Sequence, residues 1–170
     1  GLVASPHYLA SQAGVETLKR GGNAVDAAIA TNAVLNVAYP HMCGIGGDAF
    51  WLIYDASTKD LAFLNASGRS PYAATLDYFH KAGMNSIPLR GLLSVTVPGA
   101  VDGLFAAHSR HGKLSMPTIL EPAIRYARDG YPITHIMSSR IQEAAAELSQ
   151  FPTSKNLFLS FIYWSQGKTR

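Results

Sequence analysis

Between Ser5 and Pro40 the apolar positions recur at helical spacing, with one interruption at Gly21-Gly22. Ser5-Pro6 has the form of a helix start, Ser as N-cap and Pro at the first helical position, and Leu9, Ala10, Ala13 and Leu18 supply the apolar stripe. The pattern restarts at Asn23, a natural cap for "AVDAAIATNAVLNVAYP", which Pro40 ends. The second helix is apolar almost all round, which predicts burial against a sheet or another helix.

The pattern then changes period. "AFWLIYD" and "DLAFLNAS" are aromatic-rich runs on either side of the polar "ASTK", and together they predict a β-hairpin. Their apolar residues are nearly continuous, as in strands covered on both faces. Four helical segments follow: "TLDYFHKAG", "VPGAVDGLFAAHSRHG", "SMPTILEPAIRYARDG" and "SSRIQEAAAELSQF", with Gly112 and Gly130 as C-terminal stops. In the third, Ile119, Leu120, Ile124 and Tyr126 form the apolar face and Arg125, Arg128 and Asp129 the wetter one. The predicted class is α+β, with helices laid on a buried hairpin over about residues 1–75 and a mostly helical region over about 76–170. The tail "NLFLSFIYWSQGKTR" is apolar and aromatic and has no closing element, so residues 156–164 are expected to pack against further chain or a partner.

Composition narrows the function classes. With 170 residues, 48% hydrophobic and 15% charged, the chain is long and apolar enough to fold around a core. The net charge of +3 is spread without a basic run, so nothing points to nucleic acid. A single cysteine, Cys43, excludes an internal disulfide and a cysteine-rich metal site. The longest apolar stretch is too short to span a membrane. No targeting segment is visible, so both a cytoplasmic location and a secreted or periplasmic one after signal removal remain open.

Candidate chemistry concentrates in two loops. "PHMCGIGGDAF" offers three readings: a phosphate cradle of backbone N–H groups, a Cys43 nucleophile beside His41, or backbone geometry served by Gly44, Gly46 and Gly47. The loop runs from helix to strand, the reverse of the phosphate-binding order, and a histidine two residues from a cysteine in a turn is poorly placed to take its proton. His108 and His111 are spaced for a shared ligand but have no third donor nearby, so they read as exposed helix-end histidines and no metal is expected. The second loop, "NASGRSPYAAT", sets Arg69 between Gly68 and Pro71, and a guanidinium on so rigid a turn suits a carboxylate. A solvent-facing loop arginine fits the same composition.

The ordered motifs "VASPHYLASQAGVETLKRGGNAVDAAIATNAVLNVAYPHMCGIGGDAFWLIYD", "NASGRSP", "SVTVPGAVDGL" and "LEPAIRYARDGYPI" resemble the N-terminal part of the γ-glutamyltranspeptidase family over residues 3 to about 150. The resemblance implies a four-layer αββα N-terminal-nucleophile hydrolase, made as a precursor that cuts itself into large and small subunits. It implies acyl transfer from γ-glutamyl amides such as glutathione, through a Thr at the new N-terminus of the small subunit and without a cofactor. Glutaryl or cephalosporin-type acylase action is the alternative within the superfamily, and a non-catalytic fragment or binding module the alternative outside it.

Arg69 takes from the resemblance the role of binding the α-carboxylate of the γ-glutamyl group. Typical transpeptidases read Arg-Glu-x-Ala-Pro here, whereas this chain reads Arg69-Ser70-Pro71, closer to the transpeptidase-like branch. The resemblance also makes Cys43 a stand-in for a small residue rather than a nucleophile, and Gly44, Gly46 and Gly47 a structural loop near the site. The Thr and the oxyanion segments are absent from these residues. The expected partners are therefore the rest of the large subunit and the Thr-bearing small subunit, with no catalytic residue in this chain.

Overall fold

The computed structural model describes residues 1–159 of the 170. The chain divides into two compact units, Gly1–Tyr126 and the residues from Ala127 onward.

The first unit opens with α1 (Tyr8–Lys19) and α2 (Ala24–Ala38), which pack along each other. The cap of α1 is not Ser5 but His7, whose Nδ1 accepts from the Leu9 N–H at 3.3 Å. Ser5 is unavailable because its hydroxyl donates to the His7 carbonyl at 2.9 Å and pairs with the Ser11 hydroxyl at 2.8 Å. The start of α2 follows the sequence reading. Asn23 accepts from the N–H groups of Val25 and Asp26, and Asp26 accepts from the Asn23 N–H, a reciprocal capping box.

Strands β1 (Ala49–Asp55) and β2 (Asp60–Ala66) form an antiparallel hairpin in which Ala49 pairs with Ala66, Leu52 with Phe63 and Asp55 with Asp60. Beyond it come α3 (Leu76–Lys81), a 3₁₀ turn at Leu92–Ser94, α4 (Ala100–His111) and α5 (Met116–Asp129). The core gathers Val25, Ile29 and Ala30 of α2, Leu104 and Ala107 of α4 and Ile119 of α5, with Trp51, Ile53 and Leu64 of the hairpin against it. Burying such a set against one sheet face is the main favourable term holding the layers together.

Within this chain the hairpin is covered on one face. Trp51, Ile53 and Leu64 face the core, while Phe50, Leu52, Tyr54, Leu61 and Phe63 are exposed. Alternation, hidden in the sequence because both faces are apolar, is therefore present in the structure. The predicted apolar face of α5 also shifts: Ile119, Pro122 and Ala123 are buried and Ile124 is exposed.

A clasp ties α2 to the turn after α4. Asp26 is fully buried, and its carboxylate accepts from the Lys113 N–H at 3.0 and 3.2 Å and from the Leu114 N–H at 3.1 Å. The Asn23 side chain donates to the His111 carbonyl beside it. A buried carboxylate met by several backbone donors is satisfied without a cationic partner.

The second unit holds α6 (His135–Glu143), capped by the Thr134 hydroxyl accepting from the Met137 N–H, then α7 (Ala145–Leu148), α8 (Pro152–Ser154) and a π-helical turn at Lys155–Leu159. Residues 160–164 of the tail, to which the packing expectation applies, lie outside the described residues. No described helix is long and apolar enough to cross a membrane.

Candidate functional site

Three segments of the first unit meet where the glycine loop enters β1. The Asp48 carboxylate oxygen Oδ1 accepts from the Gly68 N–H at 3.0 Å and from the Thr96 hydroxyl at 3.3 Å. The Val97 N–H donates to the Arg69 carbonyl at 2.9 Å, and the Gly47 carbonyl accepts from the N–H groups of Gly99 and Ala100 at 3.3 and 2.9 Å. The exit of β2, the approach to α4 and the end of the glycine loop are thereby joined by hydrogen bonds between backbones that are far apart in sequence.

Of the two glycines that this junction requires, the sequence singles out Gly68, beside Arg69, and not Gly99. A Cβ on Gly68 would collide with the Val97 carbonyl, and one on Gly99 with the Ala66 carbonyl. Gly44 and Gly46 have no described atom within 4 Å of a Cβ position, Gly47 has only the Gly44 carbonyl at 3.9 Å, and none of the three has positive φ. The backbone-geometry expectation for Gly44, Gly46 and Gly47 thus finds no close approach among the described residues.

Arg69 lies at the edge of this junction. Its Nη1 donates to the Tyr72 hydroxyl at 2.7 Å, and its guanidinium carbon stands 5.6 Å from the centre of the Tyr72 ring. Both side chains are exposed, and among the described residues Arg69 forms no ion pair with a carboxylate. A guanidinium held by a neutral phenol keeps its charge and most of its donor fork available to an anion. Beside it opens a cavity of about 240 Å³, walled by Ser70, Pro71, Phe79, Ile87, Val95 and Thr96.

The other candidates behave differently. Burial pushes the half-buried Cys43 thiol above its ordinary pKa, the opposite of what activates a thiolate nucleophile. The His41 ring packs on Tyr39 with 4.2 Å between centres. His108 and His111 are half-buried rather than exposed, and His108 Nε2 pairs with the Leu114 carbonyl at 2.7 Å, which closes the turn after α4. No cluster of three potential metal ligands occurs among the described residues.

Sequence reasoning missed Asp48 and Tyr72. Asp48 bonds to residues 20 and 48 positions away, so no local pattern announces it. Tyr72 stands three residues after Arg69 in the same turn, and the spacing of an aromatic next to a guanidinium was the available signal.

Residues 10–169 match the gamma-glutamyltranspeptidase family. The chain is 45% identical over 158 residues to the glutathione hydrolase-like YwrD proenzyme of Bacillus subtilis (strain 168), covering 92% of this chain and 30% of that protein. Among solved structures, the Helicobacter pylori gamma-glutamyltranspeptidase superposes with a TM-score of 0.87 at 34% identity, over 93% of this chain and 46% of that one. Cephalosporin acylase from Bacillus halodurans superposes at 0.78 with 40% identity, over 84% of this chain and 26% of that one. The chain thus spans between about a quarter and just under half of the length of these relatives, and its helices and hairpin form part of an α+β N-terminal-nucleophile hydrolase fold. On the match of residues 10–169 and the identity to its relatives, the chain belongs to the γ-glutamyltranspeptidase family.

Proposed function

We propose that this chain supplies the donor-binding arginine of an enzyme that transfers or hydrolyses the γ-glutamyl group of glutathione-type amides. The observation that carries the reading is Arg69, whose guanidinium is steered by Tyr72, unpaired with any described carboxylate, and mounted on a hydrogen-bonded junction of three segments. A bidentate contact from it to the α-carboxylate would fix one end of the donor.

The reacting groups belong to the rest of the protein. A Thr at the N-terminus of the small subunit attacks the γ-amide carbonyl through Oγ, and its hydroxyl proton passes to its own α-amine and then to the departing amine. The resulting ester is cleaved by water, giving glutamate, or by the amine of an acceptor amino acid, giving a new γ-glutamyl amide. Neither course needs a cofactor. The partners of this chain are then the remaining large subunit, the small subunit and a small-molecule γ-glutamyl donor.

The similarity to a cephalosporin acylase supports a second reading, in which the donor is a glutaryl amide. Both donors carry a carboxylate for Arg69, and only the γ-glutamyl group carries an α-amine. Rates of the complete enzyme on a γ-glutamyl anilide and a glutaryl anilide separate the two. Faster release from the γ-glutamyl donor is expected, and faster release from the glutaryl donor would establish the acylase. Mass spectrometry of the native protein should also find a second polypeptide that begins with Thr, and a lone, unprocessed species would exclude both readings.

A further inference from the structure

We propose that Asp48 is the positioning residue for Arg69, setting where the guanidinium meets the donor; this rests on the reading of Arg69 as the carboxylate-binding group. The bonds form a closed circuit. Asp48 Oδ1 takes the N–H of Gly68, the residue before Arg69, and the hydroxyl of Thr96, the residue before Val97. Val97 in turn donates its N–H to the Arg69 carbonyl. One carboxylate oxygen thus holds both neighbours of the Arg69–Val97 bond, and Gly68 is packed too closely on Val97 for the turn to slide.

The far side of the circuit is anchored as well. Gly47, immediately before Asp48, accepts from Gly99 and Ala100 at the start of α4, so Asp48 is tied to a helix that belongs to the core. Arg69 is exposed and its only described side-chain partner is Tyr72, in its own turn. The place of that turn relative to the core is therefore set by Asp48 and the backbone bonds around it. A small displacement of a charged anchor from its productive geometry is costly for a bound donor.

Both bonds fall on one oxygen, so the requirement is for an acceptor at Oδ1 rather than for a negative charge. Asn supplies that acceptor and Ala does not. In the complete processed enzyme, Asp48→Ala is expected to raise KM for a γ-glutamyl anilide about tenfold with kcat changed less than about threefold. Asp48→Asn restores most of the loss. With 4-aminobutyryl anilide, which keeps the amine and lacks the carboxylate, Asp48→Ala has no comparable effect, because that donor does not engage Arg69.

Equal losses of Asp48→Ala on the two donors would assign Asp48 a general structural role and overturn the inference, as would an Asp48→Asn protein no better than Asp48→Ala. Thr96→Val, which removes one donor to Oδ1 and leaves the carboxylate, serves if Asp48→Ala fails to mature. It should raise KM for the γ-glutamyl donor alone, by about two- to fivefold, and an unchanged KM would count against the circuit. Arg69→Ala run in parallel separates the two levels. If it impairs the γ-glutamyl donor while Asp48→Ala does not, this inference fails and the assignment of Arg69 stands; if it impairs neither donor, both fail.

Discussion

Gly68 and Val97 approach so closely that a single methyl group on Gly68 would run into the Val97 carbonyl oxygen. The clash is with backbone, so no side-chain rotation relieves it, and the Val97 N–H is already committed to the Arg69 carbonyl. Gly68→Ala must push the two segments apart, at a cost of about 1–3 kcal/mol. The melting temperature of the complete protein should fall by several degrees and kcat/KM for carboxylate-bearing donors should fall with it. An unaltered melt would mean that the junction relaxes freely.

Truncating Arg69 tests the site itself. A partly desolvated guanidinium–carboxylate contact is worth roughly 2–5 kcal/mol when one partner is removed, so Arg69→Ala should lower kcat/KM on γ-glutamyl donors about 30-fold or more. Arg69→Lys recovers part of that, since an ammonium restores charge but not the planar fork. Tyr72→Phe keeps the ring and loses only the hydroxyl that accepts from Nη1, and its effect should stay within about threefold. Steady-state kinetics on the processed enzyme give all three values, and full activity of Arg69→Ala would remove the residue from the site.

Asp26 is the expected stability determinant. Asp26→Ala leaves the N–H groups of Asn23, Lys113 and Leu114 without their acceptor in a buried position, and the loss should come to about 3 kcal/mol. Asp26→Asn should lose less, because one acceptor oxygen remains. Denaturant midpoints for the two variants would rank them, and an Ala variant as stable as the parent would show that water replaces the clasp at no cost.

His7 gives the protein a dependence on acid. It is 4% exposed, and burial holds its imidazole below the ordinary value of 6.5. Between the folded and unfolded pKa values the unfolded chain binds more protons, so stability increases with pH across that window. The contribution is complete above 6.5 and is lost as pH falls through the folded value. Protonating Nδ1 would also remove the acceptor that caps α1 at Leu9. Asn is a good cap that does not titrate, so the His7→Asn protein should lose less melting temperature than the parent between about pH 7 and pH 5. Parallel curves for the two would exclude His7 as the source.

What the sequence disclosed depended on the range of the interaction. The cap at Asn23, the hairpin and the order of the helices are local features, and they were legible. The cap of α1 was misread because Ser5, a better capping type than His7, spends its hydroxyl on His7 and Ser11, a competition that no propensity records. Which face of the hairpin this chain covers was illegible because Phe50, Leu52 and Phe63 are as apolar as the half-buried Trp51, Ile53 and Leu64. At the candidate site, the setting of Arg69 between Gly68 and Pro71 marked the turn that Asp48 and Val97 hold. Asp48 escaped notice because its bonds reach across to Gly68 and Thr96, and the half-burial of His108 because it depends on Leu114.

The clasp at Asp26 also has a bearing on the order of events in folding. It joins residues 87 positions apart, and closing a loop of that length costs roughly 4 kcal/mol in chain entropy before any bond repays it. The α1–α2 pair and the hairpin involve nearer neighbours in the chain and carry a smaller penalty, so they are expected to assemble before the clasp closes. On that order Asp26 is expected to act as a latch rather than a nucleus, so Asp26→Ala should speed unfolding more than it slows folding.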